Sequence, residues 1–171
     1  MFLSPAELRA AAEKVARDAE KQYTRAILIG GFAMQHYGSD RLTGDIDFAS
    51  NAYLEGYTGK ALSFGGVQST SLGVPLDLVV RKDRFRSLYE AALRESFGLL
   101  GFVPVVASEY LVAMKLAAGR PKDESDLAFL ITEADVDLAR AKEITRVHLG
   151  PYAEQDLEQT IELETWRASR R

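Results

Sequence analysis

The most constraining feature of the sequence is the stretch Leu28–Phe48, in which a glycine pair separates a short apolar segment from an Asp-Ile-Asp motif. The apolar segment, Ala26–Ile29, has the length and side-chain branching of a buried strand. Gly30 and Gly31 follow it, and a backbone without a Cβ atom can turn sharply there and approach a ligand closely. We predict a short helix over residues 32–37 and a second strand at the Asp-Ile-Asp motif.

The Asp-Ile-Asp motif predicts a site for a hard cation. On a strand, the period of two places Asp45 and Asp47 on one face and Ile46 on the other. Two carboxylates on one face repel each other unless a cation or a shared proton neutralises them. Because Mg2+ binds one or two carboxylates together with phosphate oxygens, and a glycine turn offers N–H groups to phosphate, the stretch predicts a metal-dependent nucleotide site.

A third acidic side chain follows in the next strongly apolar segment. We predict a strand over Val74–Val80, and Asp77 lies inside its apolar run. A buried ionised carboxylate costs several kcal/mol unless it is paired or bound to a metal. Asp77 therefore requires a partner, and both metal ligation and a salt bridge to Arg41 or Arg81 would meet that requirement.

These motifs resemble those of the polymerase-β-type nucleotidyltransferase superfamily, and within it the AbiEii-like toxins and related uncharacterised bacterial families. The residues that carry the resemblance are Gly30, Gly31, Ala33, Arg41, Thr43, Asp45, Ile46, Asp47 and Phe48. The resemblance implies an α/β (α+β) fold: a small mixed β-sheet flanked by helices, followed by a C-terminal helical segment. We place the nucleotidyltransferase core at 1–107 and the helical segment, packed on the core as a single globular unit, at 108–171.

The resemblance also implies roles for particular residues. It makes Asp45, Asp47 and Asp77 the catalytic carboxylates and the ligands of two Mg2+ ions. The nucleotide, an NTP such as ATP, would be bound by Gly30, Gly31, Arg41, Thr43, Lys115 and Asp126.

The last two of these residues belong to a second motif, Lys115…Arg120-x-Lys122-Asp123-x-x-Asp126, which is similar to a motif of the AbiEii-like families. The resemblance places Lys115 near the triphosphate and Asp126 in a supporting or substrate-contacting role. Helix capping, charge pairing and snorkelling of the lysine account for the same residues without a function.

The reaction implied by the resemblance is transfer of a nucleotidyl group from an NTP to an acceptor hydroxyl. The acceptor stays open between tRNA, a protein side chain and a small molecule such as an aminoglycoside. The resemblance further suggests a toxin with a cognate antitoxin as its partner. Two other classes remain open: a catalytically silent protein of this fold that binds or regulates, and an enzyme that hydrolyses NTP with the same carboxylates.

Composition narrows the remaining possibilities. The chain of 171 residues has no cysteine, which excludes disulfides and thiolate zinc sites, and its two histidines are far apart in the sequence. No segment resembles a signal peptide or a membrane span, so we expect a cytoplasmic protein. The net charge of −4 does not favour a general nucleic-acid coat but allows a local basic patch that binds RNA. The oligomeric state is not predicted.

Further elements follow from capping and periodicity. Ser4-Pro5-Ala6-Glu7 is a capping box that starts an amphipathic helix, which we expect to pack on the sheet. A strand over Phe102–Val106 contains Pro104, which favours an edge position. The other predicted helices are Asp83–Ser96, Ser108–Ala118, one starting near Pro121, Val136–Leu149 and Tyr152–Trp166.

Overall fold

The computed structural model of the chain describes residues 2–95 and 98–171. Within these ranges the chain forms seven helices and a seven-stranded mixed sheet. It divides into two compact units, Met1–Ala107 and Ser108–Arg171. The first contains the sheet and three helices, and the second contains four helices. The predicted fold class, a mixed α/β fold built on a small sheet, is confirmed.

The strands that carry the predicted site residues are neighbours at the centre of the sheet. In chain order, β1 to β7 are Ala26–Ile29, Ile46–Ser50, Lys60–Ala61, Gly66–Ser71, Val74–Val79, Gly98–Leu100 and Val103–Val105. Their spatial order is β3-β4-β5-β2-β1-β7-β6. Strand β2 runs antiparallel to β1 and parallel to β5, so the Asp-Ile-Asp motif lies between the strand before the glycine pair and the strand of Asp77.

The predicted helix start at Ser4 is confirmed. Helices α1 to α3 of the first unit are Pro5–Lys21, Gly30–His36 and Arg86–Arg94. The Ser4 hydroxyl accepts a hydrogen bond from the Glu7 N–H (3.2 Å), and the Glu7 carboxylate accepts one from the Ser4 N–H (2.8 Å). Further along α1, the buried Ser71 hydroxyl of β4 donates to the Ala11 carbonyl (2.7 Å), which attaches the helix to the sheet.

A second contact attaches the segment between β2 and β3 to α1. The Tyr57 hydroxyl donates to Asp18 (2.6 Å), and the Lys14 ammonium pairs with the same carboxylate oxygen (2.8 Å). Both hydrogen bonds lower the pKa of the Asp18 carboxyl, and the one from Lys14 has the larger effect. Tyr57 is buried, so α1 determines where the segment leading into β3 lies.

The second unit is a helical bundle with an aliphatic centre. Helices α4 to α7 are Ser108–Ala118, Pro121–Thr132, Leu138–Leu149 and Pro151–Ala168. Leu111, Leu130 and Leu157 are almost completely buried within it. Across both units, none of the described helices is long and apolar enough to cross a membrane.

Several predicted boundaries differ from the structure. Helix α2 begins at Gly30, two residues before the predicted start, so the glycine pair belongs to its first turn. Strand β2 begins at Ile46, so Asp45 precedes the strand instead of lying within it. Helix α3 spans Arg86–Arg94, shorter than the predicted Asp83–Ser96, and Ser96 lies outside the described residues.

The predicted edge position of Pro104 is wrong. Strand β7 lies between β1 and β6, with Leu28 registered with Val105 on one side and Leu99 registered with Pro104 on the other. The proline is tolerated because the residue after the strand, Val106, donates the N–H to the Leu28 carbonyl (3.0 Å). The edge on this side of the sheet is β6, a strand of three residues that has no alternating pattern in the sequence.

We predict that Phe48→Ala lowers the free energy of unfolding by about 3–5 kcal/mol, because the fully buried ring would leave a cavity in the core. Leu99→Ala serves as the control, since Leu99 is 61% exposed on β6 and its truncation should change stability by less than about 0.5 kcal/mol. Urea denaturation followed by circular dichroism measures both values, and equal losses would contradict this assignment of the core.

Candidate functional site

The centre of the candidate site is a close contact between Gly30 and Asp47. Register pairs Ile29 of β1 with Asp47 of β2, which brings the start of α2 against the Asp47 carboxylate. Gly30 has a φ of +73°, and a Cβ atom on it would lie 2.3 Å from Asp47 Oδ2. Both the backbone conformation and the space therefore require glycine at this position.

The loop before β2 is fixed against the same helix start. A Cβ atom on Gly31 would lie 2.9 Å from Arg41 Nη2 and 3.3 Å from Thr43 Oγ1, so both side chains pack against the glycine backbone. The buried Thr43 donates its hydroxyl to Asp45 Oδ1 (2.9 Å). The Gln35 amide of α2 donates to the Arg41 carbonyl (3.0 Å), which fixes the loop at its other end. The positions of Arg41 and Asp45 are thus set by α2.

Asp77 lies beside Asp47 on the neighbouring strand. The two residues are register partners in the parallel β2–β5 pair, which places their Cα atoms about 4.8 Å apart. The residues on either side of them, Ile46 with Leu76 and Phe48 with Leu78, are buried in the core. The strand period therefore directs both carboxylates to the other face of the sheet.

An open groove of about 500 Å3 adjoins Asp77 and extends over β3, β4 and β5. Asp45 and Asp77 line it together with a largely polar set of side chains. The complete lining is Asp45, Thr58, Lys60, Gln68, Ser69, Thr70, Pro75, Leu76 and Asp77. Lys60, which the sequence analysis did not identify, is an exposed cation in this wall.

The donor set suits Mg2+ in its chemistry but does not form a closed cage. Among the described residues, no three side chains of the histidine, cysteine, aspartate and glutamate types are close enough together to hold a metal ion. Asp45 is directed toward Thr43 by its hydrogen bond. Mg2+ sites commonly use only one or two carboxylates and take further oxygens from phosphates and water. Asp47 and Asp77 on adjacent strands meet that requirement.

Lys115 and Asp126 lie in the second unit, in a buried network of ion pairs. The Lys115 ammonium lies 2.7 Å from Asp126 Oδ2 and 3.2 Å from Asp123 Oδ1, and all three side chains are at most 5% exposed. Arg120 donates to Asp123 from its backbone N–H (3.0 Å) and its guanidinium Nε (2.8 Å). The lysine therefore does not snorkel to solvent from the helix edge.

The surroundings of Asp123 in this network lower the pKa of its carboxyl. Burial is the largest influence and raises the pKa of the Asp123 carboxyl, but the hydrogen bonds from Arg120 and the charge of Lys115 together outweigh it. The net result is a pKa below the ordinary value for aspartate. Asp123 is therefore ionised although it is fully buried.

The structure thus brings the predicted residues together in two places. In the first unit, the start of α2 is in contact with Arg41, Thr43 and Asp47, and Asp77 is the register partner of Asp47. In the second unit, Lys115 contacts Asp126 directly. Helix capping and charge pairing, the alternative considered for this motif, are confirmed for Asp123, which accepts hydrogen bonds from Arg120. Its contact with Lys115 was not predicted.

Comparison with known proteins supports the fold. The chain matches no family model, and no curated protein matches it significantly. A solved structure that does match is that of an antigenic nucleotidyltransferase-like protein from Paracoccidioides brasiliensis. The match has a TM-score of 0.54 and a sequence identity of 15%, and it covers 95% of each chain. This similarity shows a nucleotidyltransferase-like fold, whereas membership of the AbiEii-like families stays a prediction.

We predict that Gly30→Ala destabilises the protein more than Gly56→Ala does. Both glycines have positive φ, but a Cβ atom on Gly56 would meet nothing within 4 Å, so the control isolates the backbone strain of about 1–2 kcal/mol. The excess cost at Gly30 arises from the Asp47 carboxylate. Thermal unfolding of the two single variants measures it.

The double variant Gly30→Ala/Asp47→Ala tests the cause of that excess. Removing the carboxylate removes the two closest atoms that the new methyl group meets, so the excess cost should fall in a double-mutant cycle. Strictly additive costs would contradict the predicted contact.

We predict that Asp123 makes stability depend on pH in the acidic range. Its folded-state pKa is depressed, so the unfolded chain binds the proton more tightly and the stabilisation is present above the ordinary carboxyl pKa. It is lost as the pH falls through the folded-state value. The wild type should therefore lose stability below about pH 4 more steeply than Asp123→Asn does. Parallel pH profiles of the melting temperature would contradict the assignment.

Proposed function

We propose that the protein is a metal-dependent nucleotidyltransferase that transfers NMP from an NTP to an acceptor hydroxyl. The observation that carries the proposal is the arrangement of Asp47, which touches the backbone of Gly30 and is in register with Asp77. Two carboxylates and the first turn of α2 thereby lie side by side. This is the combination that a magnesium–triphosphate complex requires.

In the proposed reaction the acceptor hydroxyl oxygen attacks the α-phosphorus of the NTP. A new P–O bond forms, the bond to the β-phosphate breaks, and pyrophosphate leaves with the bond electrons. Asp47 and Asp77 would hold Mg2+, which when bound lowers the pKa of the hydroxyl and stabilises the charge of the leaving group. Asp45 as a further metal ligand stays a prediction from the family resemblance. Asp77, which lines the groove, would accept a hydrogen bond from the acceptor hydroxyl and take up its proton as the new P–O bond forms.

The nucleotide would lie against the first turn of α2. The backbone N–H groups of that turn, which starts with Gly30 and Gly31, would donate to phosphate oxygens. The Arg41 guanidinium, which packs against Gly31, would neutralise part of the phosphate charge. Thr43 would act through Asp45, whose carboxylate it orients by a hydrogen bond. The groove that leads away from Asp77 would accommodate the acceptor.

The proposed substrate contacts of Lys115 and Asp126 rest on the family resemblance alone. The Lys115 ammonium already lies between two buried carboxylates, so its first role is to neutralise them. Contact of Lys115 with the triphosphate, and of Asp126 with the substrate, stay predictions from the family resemblance.

We predict that Asp47→Asn lowers nucleotidyl transfer by at least about 100-fold, because the substitution removes a full negative charge from the proposed metal site while preserving side-chain shape. The assay combines the purified protein, Mg2+ and each α-labelled NTP with total tRNA and, separately, with a cell lysate. Asp135→Asn is the matched control, since Asp135 is exposed on a loop of the second unit.

The outcomes of this assay separate the alternatives. Label that appears on RNA or on a protein with the wild type and with Asp135→Asn, but not with Asp47→Asn, supports the proposal and identifies the acceptor class. Release of NMP or phosphate without labelled acceptor indicates NTP hydrolysis. Absence of both nucleotide binding and turnover would contradict the proposal and leave a silent fold with a binding or regulatory role.

The toxin role implied by the family resemblance is part of the same proposal. A toxin of this kind would halt growth when expressed, and Asp47→Asn would not. Growth arrest by both forms would assign the effect to something other than transfer.

A further inference from the structure

A strongly basic surface lies at the far end of the strands that carry the candidate site. The segment Arg81–Arg86 has four cations and one acidic residue, although the whole chain has a net charge of −4. It connects the end of β5 to the start of α3. We call Arg81, Lys82, Arg84 and Arg86 the basic surface. Arg81 follows Asp77 by four positions, about 13 Å along an extended chain.

Arg81 is the fixed element of the basic surface. Its guanidinium lies 4.3 Å from the ring centroid of Phe64 and 4.9 Å from that of Tyr89. Two hydrogen bonds to Asp83, of 2.8 and 3.0 Å, hold it in a bidentate arrangement. Because Asp83 balances its charge, Arg81 shapes the surface more than it attracts anions.

Lys82 and Arg84 supply the available charge. Both are exposed, and among the described residues neither has a carboxylate within salt-bridge distance. The Lys82 ammonium lies 5.2 Å from the Tyr53 ring centroid, and the Arg84 guanidinium lies 4.8 Å from that of Phe85. Cations are thus interleaved with aromatic rings, one of which, Tyr53, is half exposed.

A pocket of about 340 Å3 adjoins these cations. Its wall includes Arg81, Lys82, Arg86 and Asn51. The Asn51 side-chain oxygen accepts from the Arg25 N–H (3.1 Å), so its amide nitrogen is the group that can donate to a ligand. One wall residue, Glu90, is acidic and pairs with Arg86 (2.7 Å), so Lys82 carries the unbalanced charge of the pocket.

We propose that the basic surface binds the phosphate backbone of a single-stranded nucleic acid. A single phosphate would use the pocket alone, but Arg84 extends the positive charge beyond its wall. Rings placed among cations suit a strand in which phosphates alternate with planar bases, since bases stack on aromatic side chains. An acidic peptide would use the same cations but not the exposed face of Tyr53.

The position of the surface links it to the candidate site. A nucleic acid bound to the basic surface would lie a few residues along the chain from Asp77 of β5. That such a strand serves as the acceptor rests on the proposed transfer activity, but binding to the basic surface does not. We therefore test binding in EDTA and without NTP, so that failure of the transfer reaction cannot affect the result.

The experiment measures fluorescence anisotropy of a labelled single strand of about 16 nucleotides, as RNA and as DNA of the same sequence. The charge-reversal variant Lys82→Glu/Arg84→Glu should weaken binding at least about tenfold at low salt. The milder Lys82→Gln/Arg84→Gln should reduce the slope of log affinity against log salt by about 1.4, as expected for two lost phosphate contacts. Tyr53→Leu should weaken binding of both the RNA and the DNA strand, because it removes a ring on which a base can stack.

The matched control is Lys21→Glu/Lys122→Glu, which changes the net charge equally at two exposed positions outside the basic surface. If both charge-reversal variants lose affinity equally, overall charge alone explains the effect and the proposal is overturned. Polyglutamate that competes as well as the nucleic acid would also overturn it, in favour of an acidic protein partner. A melting temperature measured for each variant separates lost binding from lost folding.

Discussion

The register between three adjacent strands is the constraint on which the candidate site depends. It sets Ile29 opposite Asp47, and Asp47 opposite Asp77, so one lateral row of the sheet carries the end of β1 and two carboxylates. A shift of β2 or β5 by one residue would turn its carboxylate into the core, because side chains alternate between faces. The buried Ile46 and Phe48 prevent that shift. The apolar core and the polar site are therefore specified by the same two strands.

The second unit contains buried charges that must be neutralised. It buries one lysine and two aspartates, and such charges cost several kcal/mol each unless they are paired in good geometry. Lys115 of α4 neutralises them by contacting Asp123 and Asp126 of α5, which are three positions apart. Replacing the lysine alone would leave uncompensated carboxylates in the core. The network thereby fixes the rotation of α5 about its axis relative to α4, which nonspecific apolar contacts would leave less defined.

Local patterns in the sequence predicted much of the fold and part of the site. Correct predictions include the capping box at Ser4, strand β1 and the apolar strand that contains Asp77. Each of them is determined by residues close together in the sequence, so the sequence pattern alone indicates it. Lys60 could not be identified, because it reaches the groove through the pairing of β3 with β4. Pro104 was misplaced since its propensity favours an edge, whereas the tertiary pairing of β7 with both neighbours prevailed. The burial of Lys115 likewise depends on a helix that follows it.

The order of strands in the sheet has a consequence for how the chain folds. Leu28 pairs with Phe48 on one side and with Val105 on the other, and the second contact closes a far longer loop. During synthesis the N-terminal strands emerge first, so β1, β2 and β5 can pair before the β6–β7 hairpin exists. Until the hairpin arrives, β1 is an open edge whose backbone N–H and C=O groups can recruit a strand from another chain. Aggregation of this protein is therefore a risk of its partly synthesised state, and the hairpin that ends the risk contributes no residue to the carboxylate row.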